Sequence, residues 1–177
     1  MRQNEEEEEF QQDCGAGGNE KGLGEQEGQE AEQSGFVQSD EKGVEMIQTR
    51  FLFGRRSMRC LVGVHRDLAR VAHTAINITP VDFGIHCGVR SIKEQETLVR
   101  LGRSRTMDSR HLTGHAIDVH PWIDGAIPWD DWPAWKALAD TMKRAAEIEG
   151  VEIEWGGDWA RFIDGPHFQL PRKSYPA

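Results

Sequence analysis

Residues 109–118 read SRHLTGHAID, and residues 164–167, further along the chain, read DGPH. His111, Asp118 and His167 supply two imidazoles and one carboxylate, a donor set found in catalytic zinc sites, where three protein ligands leave the fourth tetrahedral position open for water. The chain has seven histidines, so a His and an Asp at this spacing also arise by chance. A lone His is more often a hydrogen-bonded core or surface residue than a ligand. The residue types alone leave both interpretations open.

The hydrophobic pattern around these stretches predicts a small α+β domain. Apolar residues recur at helical spacing in two segments, and shorter segments alternate apolar and polar residues as half-buried strands do. The predicted elements are a helix over 59–76, a strand over 83–87, a short helix opened by a capping box of Ser91 and Glu94, a strand over 115–120, a long helix from Asp130 or Asp131 to Gly150, and strands over 151–155 and 167–170. The buried stripe of the long helix is predicted to be Trp135, Leu138, Met142, Ala145 and Ile148. This order of elements favours helices packed on an antiparallel sheet.

Residues 1–45 differ sharply in composition from the rest of the chain. They carry fourteen Asp and Glu against three Lys and Arg, a net charge of −11, whereas the whole chain carries −9. Such a segment cannot bury enough apolar surface to offset the entropy lost on ordering it. We therefore predict a disordered acidic tail over 1–45 and one folded domain over 46–177. A solubilising or autoinhibitory tail and a translation start at Met46 are the alternatives.

Charge and cysteine content exclude several functional classes. The domain has a net charge near +2, the difference between −9 for the chain and −11 for the tail, and no basic stripe of the kind that nucleic-acid binding needs. Cys14, Cys60 and Cys87 form no Cys-x-x-Cys pair, which argues against a disulfide framework and a sulfur-rich zinc site. Cys60 and Cys87 fall on apolar faces and are interpreted as small buried hydrophobic residues.

Targeting and membrane segments are not expected either. The N-terminus lacks the basic start and apolar stretch of a secretory signal. No apolar run approaches the ~20 residues that a membrane span requires. We expect a monomer that is made in the cytoplasm, without a signal peptide or a membrane span.

Both motifs also carry a family resemblance. SRHLTGHAIDV resembles the Ser-x-His-x-x-Gly-x-Ala-x-Asp signature of the zinc D-alanyl-D-alanine carboxypeptidase superfamily, and DGPHFQL resembles its acidic-x-x-His signature. Residues 51–54, 88–91 and 155–159 are similar to phage L-alanyl-D-glutamate endopeptidases in particular. The resemblance runs from about residue 51 to the C-terminus and leaves the acidic tail uncovered. It implies a small hedgehog- or DD-peptidase-like zinc domain.

The resemblance also implies roles for individual residues. His111, Asp118 and His167 would bind one Zn²⁺ per chain, and Asp164 would be the general base that takes a proton from the attacking water. Arg90 would stabilise the oxyanion of the tetrahedral intermediate or hold a substrate carboxylate. The alternatives are a turn residue before Gly-Pro for Asp164 and a surface ion pair for Arg90.

Four further residues are candidates for substrate binding or for support of the ligands. Ser109 belongs to the first motif. Asp158 follows a Gly-Gly turn and is a candidate to orient a ligand imidazole, and Trp159 is a candidate wall of the substrate groove, although core packing is the usual role of such aromatics. His120 shares a strand face with Asp118 and is a possible rival ligand, but we expect a structural or exposed residue.

The sequence thus predicts a zinc peptidase that hydrolyses the stem peptide of peptidoglycan, at the bond between L-alanine and D-glutamate, for lysis of the bacterial cell wall. The exact bond rests on the resemblance alone. One alternative is a D-Ala-D-Ala carboxypeptidase or dipeptidase with the same metal site. Another is a non-catalytic zinc-binding module, which the presence of Asp164 argues against because a structural zinc site needs no base.

Overall fold

Four helices and four strands are interspersed along residues 51–177, the part of the chain that the computed structural model describes. The helices are α1 (Arg55–Cys60), α2 (Arg66–Ile78), α3 (Ile92–Arg100) and α4 (Trp132–Glu149), the strands are β1 (Phe83–Cys87), β2 (Ala116–Pro121), β3 (Glu154–Trp155) and β4 (His167–Gln169), and two short 3-10 turns span Arg110–Thr113 and Gly156–Asp158. No helix in this range is both long and apolar enough to cross a membrane. The predicted disordered tail, residues 1–45, lies outside the described residues.

The four strands form one antiparallel sheet in the order β1-β2-β4-β3. Asp118 lies in β2, with Cys87 of β1 as its partner on one side and His167 of β4 as its partner on the other. A β-bulge between Ile85 and Cys87 interrupts the pairing of β1 with β2. The predicted α+β class, with helices on an antiparallel sheet, is confirmed.

One side of the sheet packs on α2 and α4 to form the hydrophobic core. Alternate strand residues, among them Ile85, Val119 and Phe168, are almost fully buried there. Each large apolar side chain removed from water contributes roughly 1.5–3 kcal/mol to stability. Because strand side chains alternate between faces, Asp118 is directed to the opposite side of the sheet from Val119. The apolar layer thereby fixes the sheet that carries the polar site.

The predicted helix over 59–76 is wrong in one respect, since the structure contains two helices with a turn between them. Gly63 in that turn has φ +80°, a conformation that other residues adopt only with strain. His65, two residues after Gly63, donates its backbone N–H to the Gly114 carbonyl over 2.8 Å. Gly114 approaches so closely that a Cβ on it would lie 2.4 Å from the Gly63 carbonyl oxygen. A contact distant in sequence therefore ends the first helix.

The long helix is confirmed with one change in its buried stripe. Asp131 caps its N-terminus by accepting the backbone N–H of Ala134 over 3.2 Å, and Gly150 ends it with φ 65°. Ile148 is 58 % exposed, so its predicted place in the buried stripe is wrong. At 3.6 residues per turn the six residues from Met142 to Ile148 rotate the side chain by about 120° away from the buried face. Ala146, four residues after Met142, is buried instead.

The strand boundaries also differ slightly from those predicted. The segment predicted as a strand over 151–155 pairs only at Glu154–Trp155, the strand predicted over 167–170 ends at Gln169, and the strand predicted over 115–120 is shifted by one residue to Ala116–Pro121. The capping box of Ser91 and Glu94 is present, with both of its hydrogen bonds.

Candidate metal centre

Three different elements bring His111, Asp118 and His167 together. His111 lies in the 3-10 turn Arg110–Thr113, where Ser109 caps the turn and its hydroxyl accepts the His111 backbone N–H over 3.4 Å. Gly114 ends the turn with φ 71°, and the chain then enters β2, which carries Asp118. His167 is the first residue of β4 and the register partner of Asp118. All three side chains are buried.

Their ligand atoms form a nearly equilateral triangle. His111 Nε2, Asp118 Oδ1 and His167 Nδ1 lie 3.2 Å from one another in all three pairs. Zinc bonds of about 2.0–2.1 Å to nitrogen and oxygen, at tetrahedral angles, place neighbouring ligand atoms roughly 3.3–3.4 Å apart. The three side chains are therefore spaced like one face of a tetrahedral metal site.

Hydrogen bonds on the outer side of each imidazole orient its free nitrogen. His111 Nδ1 lies 2.7 Å from the Gly88 carbonyl oxygen, which can only accept. His167 Nε2 lies 3.0 Å from Gln169 Oε1, and the amide nitrogen of Gln169 donates to Glu154 Oε2 over 2.7 Å. These partners place the proton of each ring on its outer nitrogen. The inner nitrogens then direct lone pairs at one point beside a carboxylate oxygen, an arrangement that a cation stabilises.

Asp118 carries the negative charge of the cluster. Its Oδ2 accepts a hydrogen bond from Arg90 Nη2. Burial opposes the ionisation of Asp118, but His111, His167 and Arg90 outweigh burial and hold its pKa well below the usual value. Burial also acts to lower the pKa of each imidazole, and the Asp118 carboxylate outweighs it, so that the pKa values of His111 and His167 are raised. The carboxylate is ionised at neutral pH, as a metal ligand must be.

Asp164 lies beside this cluster in a tight turn. Its carbonyl accepts the His167 backbone N–H over 3.2 Å, and its own N–H donates to the Gly156 carbonyl over 3.0 Å. Burial raises the pKa of the Asp164 carboxyl, and the negative charge of Asp118 raises it further. The backbone of Asp164 is thus that of a turn residue, as the simpler interpretation proposed, while its side chain is a carboxyl held close to the three candidate ligands.

Comparison with known proteins agrees with this geometry. The model of the family described as phage L-alanyl-D-glutamate peptidase matches residues 49–170. The chain belongs to this peptidase family. The L-alanyl-D-glutamate peptidase of Escherichia phage T5 is 34% identical over 128 residues, which cover 71% of this chain and 93% of the relative. The peptidoglycan L-alanyl-D-glutamate endopeptidase CwlK of Bacillus subtilis is 36% identical over 106 residues, covering 51% of this chain and 61% of the relative.

A solved structure is similar as well. The crystal structure of the Serratia marcescens L-Ala D-Glu endopeptidase ChiX matches with a TM-score of 0.66 and 43% sequence identity, covering 71% of this chain and 95% of that chain. The family resemblance inferred from the motifs is therefore confirmed. It makes the chain an enzyme and a peptidase, and the α+β fold is that of a known endopeptidase.

A second set of donors in the peptidase shares two members with the first. Ligand-capable atoms of Cys87, His111 and Asp118 all lie within 4.8 Å of one another. The set containing His167 has shorter separations, 3.2 Å in each pair, and so is the more compact candidate site for a metal ion. Cys87 is buried, as predicted, but its interpretation as a hydrophobic residue is incomplete because the bulge in β1 places it beside these polar groups.

The remaining predicted residues have different surroundings. Trp159 is half-buried and its ring centre lies 5.1 Å from that of His167, so it packs against a candidate ligand. Asp158 is exposed and accepts from Lys143 Nζ over 2.7 Å. The role predicted for Asp158, orienting a ligand imidazole, is wrong because Gln169 holds that position on His167.

His120 is a structural residue of the peptidase, as expected. It follows Asp118 by two positions on β2, but its ring packs against those of His86 and Trp122. Burial lowers its pKa to about 4, with His86 and Arg56 adding to the effect. A neutral imidazole packed in this way lies outside the cluster of candidate ligands.

Proposed function

We propose that this peptidase hydrolyses the peptidoglycan stem peptide between L-alanine and D-glutamate, using one zinc ion held by His111, Asp118 and His167. The observation that carries the proposal is the triangle of 3.2 Å between the three ligand atoms, with the Asp164 carboxyl beside it. The bond is the one named for the T5, CwlK and ChiX relatives. Zinc, when bound, supplies a Lewis acid that polarises the scissile carbonyl and makes water more acidic.

Asp164 supplies the proton transfers in this scheme. Its raised pKa makes the carboxylate a stronger base than an ordinary Asp, and partial burial reduces its contact with bulk water. It would accept the proton of the attacking water and pass it to the leaving amine of the D-glutamate residue. A positioned general base contributes typically ~10²–10⁴ in rate.

Arg90 supplies positive charge. Its guanidinium is mostly buried, with 18% of the side chain exposed, and is ion-paired with Asp118. In this position it orients the ligand carboxylate, and its charge stabilises the oxyanion that develops on the substrate carbonyl. Arg90 thus pairs with Asp118, a buried residue, whereas the alternative interpretation of Arg90 was an ion pair on the protein surface.

Digestion of purified peptidoglycan tests the proposal. Mass spectrometry of the products should show new L-alanine C-termini and new D-glutamate N-termini, and the zinc-depleted His167→Ala variant should give neither. Release of terminal D-alanine would instead indicate a carboxypeptidase. An intact wall after exposure to the zinc-loaded parent protein would contradict a peptidoglycan substrate.

A further inference from the structure

Two tryptophan side chains at the start of α4 are exposed although they are large and apolar. Trp129 is 47% exposed and Trp132 is 42% exposed. Trp132 is the first residue of α4, and Trp129 precedes it by three positions. Exposed apolar patches commonly mark ligand-binding grooves or interaction sites. The proposed mechanism assigns no role to either side chain.

Each of these rings is held from behind by a buried tryptophan. Trp129 stacks on Trp135 with ring centres 5.5 Å apart and planes 29° apart, and Trp132 stacks on Trp155 with ring centres 5.5 Å apart and planes 19° apart. Trp135 and Trp155 are almost fully buried. The stacking fixes the orientation of the two outer rings. Their exposed parts are therefore already oriented before a ligand arrives, which reduces the entropy lost on binding.

The same group of tryptophans contacts the turn that carries the proposed base. A Cβ added to Gly165 would lie 3.1 Å from Cζ3 of Trp132 and 3.5 Å from Cε3 of Trp135. The Gly165 carbonyl accepts the indole N–H of Trp155 over 2.7 Å. Gly165 directly follows Asp164. The exposed tryptophan surface is therefore continuous with the candidate metal centre.

The chemistry of peptidoglycan indicates what would occupy this surface. In the intact polymer the L-alanine of the stem peptide is joined through a lactyl group to an N-acetylated sugar. A sugar ring therefore lies one residue away from the bond that we propose is cut. The C–H groups on one side of a sugar ring form an apolar face, which can stack on an indole while the hydroxyl groups stay in water.

The charge of this surface favours a sugar over the rest of the stem peptide. Asp130 and Asp131 lie between the two exposed tryptophans in the sequence, and both are exposed. Their negative charges repel the carboxylates of the stem peptide. A sugar whose lactyl group is bound in the amide to L-alanine is neutral and is not repelled.

We propose that Trp129 and Trp132 form a subsite that stacks against the N-acetylated sugar attached to the stem peptide. This inference rests on the proposed function, since it takes peptidoglycan as the substrate. The subsite would bind a part of the substrate that does not react. Binding energy from such a part can hold the scissile bond in place and so raise kcat/KM. The peptidase should therefore prefer stem peptides that still carry their sugars.

Two substrates that differ only in the sugar test this inference. One is the stem peptide ending in its lactyl group, the other is the same peptide attached to its disaccharide, and both are given to the full-length, zinc-loaded protein. The parent protein should cleave the disaccharide peptide with a kcat/KM on the order of tenfold higher, as an aromatic contact at the centre of a binding site commonly contributes. Trp132→Ala and Trp129→Ala should each lose most of this preference. Trp132→Phe should keep most of it, because a flat ring remains.

Ile148→Ala is the matched control. Ile148 is also an exposed apolar residue of α4, but it lies near the other end of the helix. It follows Trp132 by sixteen positions, which at 1.5 Å per residue is about 24 Å along the helix axis. The Ile148→Ala variant should show the same preference as the parent protein.

The outcomes separate this inference from the proposed function. Equal kcat/KM values of the parent protein on the two substrates would overturn the sugar subsite and leave the peptidase activity intact. Tryptophan variants that lose the same factor on both substrates would also overturn it, since a disturbed turn at Gly165 affects both substrates alike. If Trp132→Ala does not fold, Trp129→Ala and the parent protein still decide. Cleavage of neither substrate by the parent protein would overturn the proposed function and this inference with it.

Discussion

Two pairs of histidines in the molecule differ in what surrounds them. The rings of His111 and His167 have centres 5.1 Å apart, and those of His86 and His120 have centres 5.8 Å apart. Burial acts to lower the pKa in all four. The pKa values of His111 and His167 are raised nevertheless, because the Asp118 carboxylate lies beside both rings. The pKa values of His86 and His120 are lowered, that of His120 to about 4.

The comparison indicates what distinguishes the candidate metal site from a packed pair of imidazoles. In the first pair each outer nitrogen has an acceptor, the Gly88 carbonyl or Gln169, and the inner nitrogens face a carboxylate. In the second pair Nδ1 of His120 is buried without a hydrogen-bond partner among residues 51–177. Two neighbouring imidazole rings are not enough to form a metal site. A carboxylate next to the rings and hydrogen-bond partners that orient them are also needed.

The largest effect is expected from removing a ligand. His167→Ala takes away one of the three donors, so the protein should lose most of its zinc and its wall-degrading activity. His120→Ala is the matched control, because His120 lies on the same sheet but outside the cluster. Metal analysis of the two folded variants checks the contrast. Equal zinc contents in the His167→Ala and His120→Ala variants would contradict the assignment of His167, and not His120, as a metal ligand.

Removing the base should give the next largest effect. Asp164→Asn cannot accept a proton, so turnover should fall by ~10²–10⁴ while zinc stays bound. Asp158→Asn is the control, since Asp158 is exposed and pairs with Lys143. Rates on purified peptidoglycan and zinc contents of both variants are the measurements. A fast Asp164→Asn variant would reduce Asp164 to a turn residue.

Removing an outer partner should have a smaller effect. Gln169→Leu leaves the outer nitrogen of His167 without its acceptor and should weaken zinc binding about 10–100-fold. Gln169→Glu combined with Glu154→Gln keeps an acceptor for His167 without bringing two carboxylates together, and it should recover most of the affinity. Chelator competition measures both. Unchanged affinity in the Leu variant would mean that the orientation of His167 does not depend on Gln169.

The smallest effect is expected at the packed pair itself. A Cβ added at Gly84 would lie 3.1 Å from His120 Nε2, so Gly84→Ala crowds this ring. The free energy of unfolding should fall by about 1 kcal/mol, as followed by denaturant titration, and zinc content should not change. Loss of zinc in this variant would show that the two histidine pairs are coupled.

Periodicity was enough to predict much of the fold, whereas the candidate site was predicted from two motifs through their family resemblance. The cap at Asp131, the end at Gly150 and the capping box at Ser91 are local signals, and local hydrogen bonds determine them. The two motifs contain the three side chains that the structure brings together, because each motif lies on or next to a strand of one sheet.

The features that sequence reasoning missed depend on distant contacts. The turn at Gly63 follows from its approach to Gly114, which no local pattern reveals. The bulge that directs Cys87 towards Asp118 is a property of strand pairing. The Gly88 carbonyl has no side-chain signal at all, whereas Gln169 could have been found, since it follows His167 by two residues and its side chain shares that strand face.

Diffraction at the zinc absorption edge from crystals of the zinc-loaded protein tests the central claim most directly. The account predicts one anomalous peak per chain at about 2.0–2.1 Å from His111 Nε2, Asp118 Oδ1 and His167 Nδ1. A peak bound elsewhere, for example between His86 and His120, or a zinc-loaded crystal without a peak at these three atoms, would contradict it.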